Sequence, residues 1–174
     1  MALDYLDGRG LNKHIRSTFQ LGLSPANGDQ LKHFFQTHDV NLDDAIKTGL
    51  LRRTTGGNIR DFFWGRLMFP IYDRKGRVAG FGARALDDSM PKYINSVSTS
   101  IFDKSSTVYG LHLAAENIRH KSTAIIVEGY MDTITAHQHG YTNVVASMGT
   151  ALTEQQVSLL KPMATTFVLA LDSD

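Results

Sequence analysis

The sequence predicts a two-part protein: an α+β N-terminal subdomain, then a partial α/β unit on a parallel sheet, ending after its third strand. Three observations carry this. From residue 123 the chain alternates strand, helix, strand, helix, strand, the order of a doubly wound unit. Its strand candidates AIIVE (124–128), NVVAS (143–147) and TFVLAL (166–171) are continuously apolar, as strands covered on both faces must be. Upstream, RLMFPIYD (66–73) and VAGFGARAL (78–86) flank a turn at RKGR, the pattern of a hairpin.

Taken in order, residues 1–50 read as helical. Leu3, Leu6 and Leu11 mark a short amphipathic stretch, Asp29 is placed to cap a helix around LKHFFQTH, and a third runs from Leu42 to Ile46. SPANGD and TTGGN (54–58) are turn and loop material. After the hairpin, PKYINS (91–96) is a further extended piece, and Leu111, Ala114, Ala115 and Ile118 share one helix face. In the last third, one helix runs from Tyr130 to His139, and another opens at Thr153 with Gln156 three residues on, a capping-box pair. The divisions expected are 1–58 helical, 59–121 basic α+β, and 122–174 the parallel unit.

With 42% hydrophobic and 20% charged residues, the composition is that of an ordinary globular domain. No apolar run approaches the roughly 20 residues of a membrane span, and MALDYLDGRG lacks a signal-peptide core, so a cytoplasmic protein without membrane association is expected. The absence of cysteine excludes disulfides and cysteine-bound zinc within these residues. The net charge of +1 hides a segregation. Residues 52–104 hold ten Lys or Arg against five Asp or Glu, and residues 105–174 three against six. A basic middle beside an acidic end suits a polyanion on one side and divalent cations on the other. A solvated basic face explains the charges equally well.

In doubly wound sheets the ligand site lies beyond the carboxyl ends of the strands. Glu128 ends the first strand, and Asp172 and Asp174 end the third, so all three emerge on one edge. Asp132 falls on the first turn of the following helix and faces the same crevice, with Gly129 allowing the sharp turn between. Four converging carboxylates repel one another unless cations sit among them, and Mg²⁺ takes oxygen ligands of this kind. Taken alone, Asp172 and Asp174 fit a polar strand end or helix cap.

EGYMD (128–132), ASMGTALTEQQ (146–156) and LALDSD (169–174) resemble the Toprim domain of bacterial DNA primases of the DnaG type. RLMFPIYDRKGRVAGFGARALDDSMPKYINS (66–96) and IFDKSSTVYGL (101–111) resemble the basic subdomain preceding Toprim in that family, and YLDGRGL (5–11) extends the likeness more weakly. The resemblance implies template-directed synthesis of short RNA primers, in which a 3′ hydroxyl attacks the α-phosphate of a ribonucleoside triphosphate. It implies Mg²⁺ or Mn²⁺ on Glu128, Asp172 and Asp174, with Asp132 completing or orienting the site and Glu128 taking a proton. It matches Arg66, Arg84, Lys92 and Lys104 to positions that contact template or nucleotide phosphates, with Tyr93 and Asn95 beside them. The implied partners are single-stranded DNA, ribonucleoside triphosphates and, through a region not in these residues, the replicative helicase at the replication fork.

Some features take other readings. GFGARA (80–85) fits a dinucleotide fingerprint, but no helix follows to hold a pyrophosphate, so close backbone packing with Arg84 presented to a ligand is expected. His137 and His139 do not share a helix face and read as surface histidines. Trp64 stands where the family usually has an arginine, as a packing anchor or a substitute stacking surface. The family's Toprim unit continues beyond D-x-D and is preceded by a cysteine-bearing zinc module, so the sequence reads as a fragment, inactive alone. The alternatives are a Toprim nuclease or topoisomerase fragment, and a non-catalytic module that binds single-stranded nucleic acid.

Overall fold

In a computed structural model, residues 1–148 and 151–172 are described. The elements are α1 (Ala2–Gly8), α2 (Lys13–Thr18), β1 (Gly22–Leu23), α3 (Gln30–Thr37), α4 (Leu42–Lys47), β2 (Leu51–Arg53), β3 (Ile59–Asp61), β4 (Arg66–Tyr72), β5 (Val78–Ala85) and β6 (Tyr93–Asn95). A 3₁₀ turn (Lys104–Ser106) leads to α5 (Leu111–Lys121), β7 (Thr123–Val127), α6 (Tyr130–Gln138), β8 (Val144–Ala146), α7 (Glu154–Leu160) and β9 (Thr166–Leu169). The sheets are antiparallel β1-β4-β5-β6, the hairpin β2-β3, and parallel β8-β7-β9.

The expected hairpin is the longest pairing, with Arg66 opposite Ala85 and Phe69 opposite Gly82. Its inward residues Leu67, Phe69 and Ile71 share one core with Leu6, Leu11, Ile15 and Phe19 of the N-terminal segment and with Tyr130 and Ile134 of α6. One core therefore joins the antiparallel sheet to the parallel unit. A second, formed by Ala114, Ile118, Ala124, Ile126, Val145 and Leu160, lies between α5, the parallel sheet and α7. The helix α7 begins as its sequence predicts: Thr153 Oγ1 accepts from Gln156 N at 3.1 Å, and Gln156 Oε1 accepts from Thr153 N at 3.2 Å.

Several expectations need correction. Residues 1–50 are not all helical: β1 interrupts them, a two-residue strand held by the edge of β4 rather than by any local pattern. The 54–58 loop is the turn of the β2-β3 hairpin. Asp29 occupies the position before α3 but makes no side-chain cap. The buried Asp61 caps instead, accepting from Leu31 N at 3.0 Å and Lys32 N at 2.9 Å. Asp29 is drawn away by Lys32 Nζ at 3.0 Å and Arg60 Nη2 at 3.3 Å. The strand β9 is not covered on both faces, because its Val168 and Leu169 are exposed, as is Leu171 just beyond it.

His137 is also not a surface residue. Its Nε2–H donates to the Val144 carbonyl at 2.8 Å, its ring meets Phe19 edge-on, and burial lowers its pKa. His112, packed 4.0 Å from the Tyr72 ring, is pushed down to about 4 by burial and by the charge of His137. Both groups are depressed in the folded state. Unfolded histidine takes up a proton near pH 6.5, so stability present above that pH falls as pH drops towards 4. We expect the chain to lose about 1–2 kcal/mol through His112 between pH 7 and 4.5, discounted for partial exposure. Urea titrations of the parent and of His112→Gln at both pH values check this, and an equal loss in the variant rejects it.

Candidate active site

The strand β7 delivers Glu128 to the carboxyl edge of the parallel sheet, and β9 brings Asp172 beside it. Ala170 N–H donates to the Ile126 carbonyl at 2.9 Å, and two residues later Asp172 N–H donates to Glu128 Oε1 at 3.1 Å. That bond fixes the Glu128 carboxylate against the end of β9. Gly129 then starts α6, and its N–H donates to Asp132 Oδ2 at 3.0 Å. A Cβ on Gly129 would stand 2.8 Å from that oxygen, so any other residue displaces Asp132. The acidic capping of a helix start is favourable in itself, which ties Asp132 to its own backbone.

Opposite this edge stands a wall of aromatic and basic side chains. Tyr130 is stacked on Phe69 (centroids 4.8 Å apart) and meets Tyr109 edge-on. Its ring fits only because residue 82 is glycine, where a Cβ would lie 2.2 Å from Tyr130 Cζ. This is the close backbone packing expected of GFGARA. The Tyr130 hydroxyl meets the Asn95 amide, oriented so that the Asn95 oxygen accepts from Lys104 Nζ at 3.2 Å. Burial raises the pKa of the Tyr130 phenol and lowers that of the Lys104 ammonium. Tyr93, opposite Arg84 on β5, is 41% exposed and presents a ring to the cleft.

The basic residues divide by geometry. Arg84 is buried; its guanidinium lies 4.1 Å from the Tyr5 ring centroid and 5.8 Å from that of Tyr93, and Nη1 donates to the Ala85 carbonyl. It supports Tyr93 from behind rather than standing free. Arg66 Nη1 donates to the Pro91 carbonyl at 2.9 Å and to Lys92 O at 3.4 Å, which holds the turn carrying the exposed Lys92. Among the described residues, none of Arg66, Arg84, Lys92 and Lys104 is in a salt bridge.

The two sides enclose a cleft of about 330 Å³ lined by Arg9, Tyr93, Asn95, Glu128, Asp132 and Asp172, among others. The structure thus gathers three of the expected carboxylates. Asp174 lies outside the described residues. Among the described residues no group of three or more His, Cys, Asp or Glu is close enough to hold a metal ion. Glu128 and Asp172 meet, while Asp132 turns back to its helix. Sequence reasoning missed Arg9 and Tyr130, although both lie inside motifs it quoted. Arg9 reaches the cleft only because α1 packs over β4 and β5, a contact no local pattern encodes.

The parallel sheet with carboxylates at its strand ends is the part of the chain that falls in the Toprim class: residues 122–174 match the Toprim domain model. Residues 1–115 match the model of the DNA primase catalytic core, N-terminal domain. The chain belongs to the DNA primase catalytic-core family. It is 45% identical to the DNA primase of Deinococcus radiodurans over 175 residues, which is 99% of this chain and 31% of that protein. The solved RNA polymerase domain of the Mycobacterium tuberculosis primase DnaG superposes with a TM-score of 0.93 at 32% identity, over 99% of this chain and 59% of that one. A DnaG primase catalytic domain solved bound to single-stranded DNA superposes with a TM-score of 0.88 at 36% identity, over 97% of this chain and 54% of that one. No helix among the described residues is long and apolar enough to cross a membrane.

Proposed function

We propose that this chain forms part of the site at which a primase joins ribonucleotides on a single-stranded DNA template. The observation that carries the reading is the cleft itself, where Glu128 and Asp172 face Arg9, Tyr93 and Asn95 across one opening. The donor set at its edge is oxygen only, which fits a hard divalent cation. Glu128, Asp172 and Asp174 would hold Mg²⁺ or Mn²⁺, which when bound stabilises charge on the reacting phosphate oxygens.

The protein side chains do the remaining work. Tyr93 offers a stacking face to a base, and Lys92 and Arg9 attract the phosphates of the template or the nucleotide. Arg66 and Arg84 hold Lys92 and Tyr93 in place. Asn95, fixed between Tyr130 and Lys104, supplies a polar edge to the same wall. Glu128 accepts the proton of the 3′ hydroxyl as that oxygen bonds to the α-phosphorus; the bond to the β-phosphate bridging oxygen breaks, and pyrophosphate leaves. The replicative helicase and a place at the replication fork belong to the same reading.

We also propose that residues 1–174 by themselves do not make primers. The observation that supports it is the exposure of the apolar residues Val168 and Leu169 on β9. Two-metal chemistry needs ligands held in fixed geometry. The test is incorporation of labelled ribonucleotides on a single-stranded template with Mg²⁺ or Mn²⁺. The 174-residue chain is expected to remain at background, and a version extended at its C-terminal side to elongate. Robust synthesis by the unextended chain overturns the second proposal, and silence from a folded extended chain overturns the first.

A further inference from the structure

The first turn of α7 clasps the 3₁₀ turn through a buried amide. Gln156 is 0% exposed, although a capping-box glutamine can do its work from an open helix start. Its Oε1 serves the box. Its Nε2 donates to the Thr107 carbonyl at 2.8 Å and the Lys104 carbonyl at 3.1 Å, with the Ser147 carbonyl, just after β8, further off at 3.4 Å. The neighbours of Gln156 grip the same turn. Thr153 Oγ1 donates to the Ser105 carbonyl at 2.6 Å, and Ser105 Oγ donates to Gln155 Oε1 at 3.0 Å. The turn held in this way carries Lys104, whose Nζ donates to the Asn95 oxygen at 3.2 Å, and Asn95 lines the cleft.

We infer that Gln156 is a positioning residue for the cleft: by fixing the main chain of the 3₁₀ turn it sets the reach of Lys104, and thereby the orientation of Asn95. A primary amide presents an acceptor on one side and donors on the other, and its partners decide which way it faces. Lys104 has only hydrogens to offer. Where its ammonium stands beside Asn95 the amide oxygen must face it, which leaves the Asn95 NH₂ to the Tyr130 hydroxyl and the Ile94 carbonyl. Gln156 is not among the residues that line the cleft, so it acts on the cleft only through the turn. An apolar side chain of the same size would fill its place yet leave buried carbonyls without a donor, and the turn would shift to satisfy them. The inference rests on the proposed reading of the cleft, in which Asn95 supplies the polar edge of the wall.

Nuclear magnetic resonance tests this without catalysis. In the 174-residue chain, exchange of the Asn95 Nδ2 hydrogens with water is expected to quicken about fivefold in Gln156→Met and in Lys104→Met alike, the net contribution of one hydrogen bond. The side-chain amides of Gln138, bonded to the Gly10 carbonyl, and of Asn143, bonded to the Thr123 carbonyl, are the controls and should not change. A merely structural role would move all three together. Gln156→His keeps a ring N–H donor and should restore most of the protection. Thr153→Ala, a milder release of the same turn, should move Asn95 in the same direction and decides the matter where Gln156→Met fails to fold. In an active, C-terminally extended chain, Gln156→Met should raise the KM for ribonucleotide about fivefold and change kcat less than about twofold, with no further effect in the Lys104→Met background. Asn95 exchange equal to the parent's, all three amides quickening together, or a KM effect that adds in full to that of Lys104→Met overturns the inference and leaves the cleft reading standing. Silence from the folded extended parent overturns the cleft reading instead, and the amide exchange then decides by itself whether Gln156 places Asn95.

Discussion

Gly82→Ala is expected to cost about 3 kcal/mol of stability, at the upper end of overpacking changes. The added methyl would stand 2.2 Å from Cζ, 2.4 Å from Oη and 2.6 Å from Cε2 of Tyr130. Nothing nearby gives way easily. Phe69 stacks on one face of that ring, Tyr109 meets it edge-on, and Tyr130 itself is 4% exposed. Either the ring is expelled or β5 separates from α6, and both change the cleft wall as well as the core. For a chain of this length the melting temperature should fall by roughly 6–12 °C. Oligonucleotide binding should weaken with it, because Asn95 loses the Tyr130 contact. Replacing Tyr130 by Leu in the same chain should recover part of the stability lost, a coupling that a double-mutant cycle measures. A melting curve of Gly82→Ala that overlays the parent's disproves the close approach.

Glu128→Gln should reduce ribonucleotide incorporation by about 100-fold or more in a C-terminally extended chain that is active. The substitution keeps shape and keeps an oxygen to accept the Asp172 N–H, so the loop between β9 and the cleft should stay in place. What it removes is a negative charge at the point where a cation and a proton are both to be received, and charge terms of that kind contribute several kcal/mol. Binding of single-stranded DNA should be unchanged, since the side chains proposed to contact template lie on the opposite wall, while Mn²⁺ affinity measured by electron paramagnetic resonance should fall. Asp132→Asn should do much less. Its amide oxygen can still take the Gly129 N–H, and Asp132 works chiefly through that bond. Incorporation that survives Glu128→Gln would remove this residue from the chemistry.

The parallel unit was the most legible part. Its strands announce themselves by unbroken apolar runs, and the rule that ligands bind beyond strand ends placed Glu128 and Asp172 on one edge before any coordinates. The Thr153–Gln156 capping box was equally plain, because capping is a bond between residues three apart. Asp29 shows the limit of the same rule. A local signal put the cap of α3 there, yet Asp61, about thirty residues on, won the two amides once β3 brought a buried carboxylate to the helix start. Likewise the helical spacing of His137 and His139 showed that they point apart, but not that one of them points into Phe19 and the Val144 carbonyl.

By itself the sequence determined the order of elements in the last third, the acidic edge and the basic character of residues 52–104. These depend on periodicity, on neighbours within a turn and on composition, all of which are written along the chain. Only the tertiary structure decided how the basic residues divide their work. Arg84 is walled between Tyr5 and Tyr93, Arg66 grips a turn, Lys92 stands free, and Arg9 enters the cleft from the first helix. It alone decided that Gly82 makes room for Tyr130 and that Arg52 covers Trp64. The reason is that each of these contacts joins residues far apart in sequence. Their energy appears only when the helices, the hairpins and the parallel sheet have packed on their shared cores, and no local pattern carries that information.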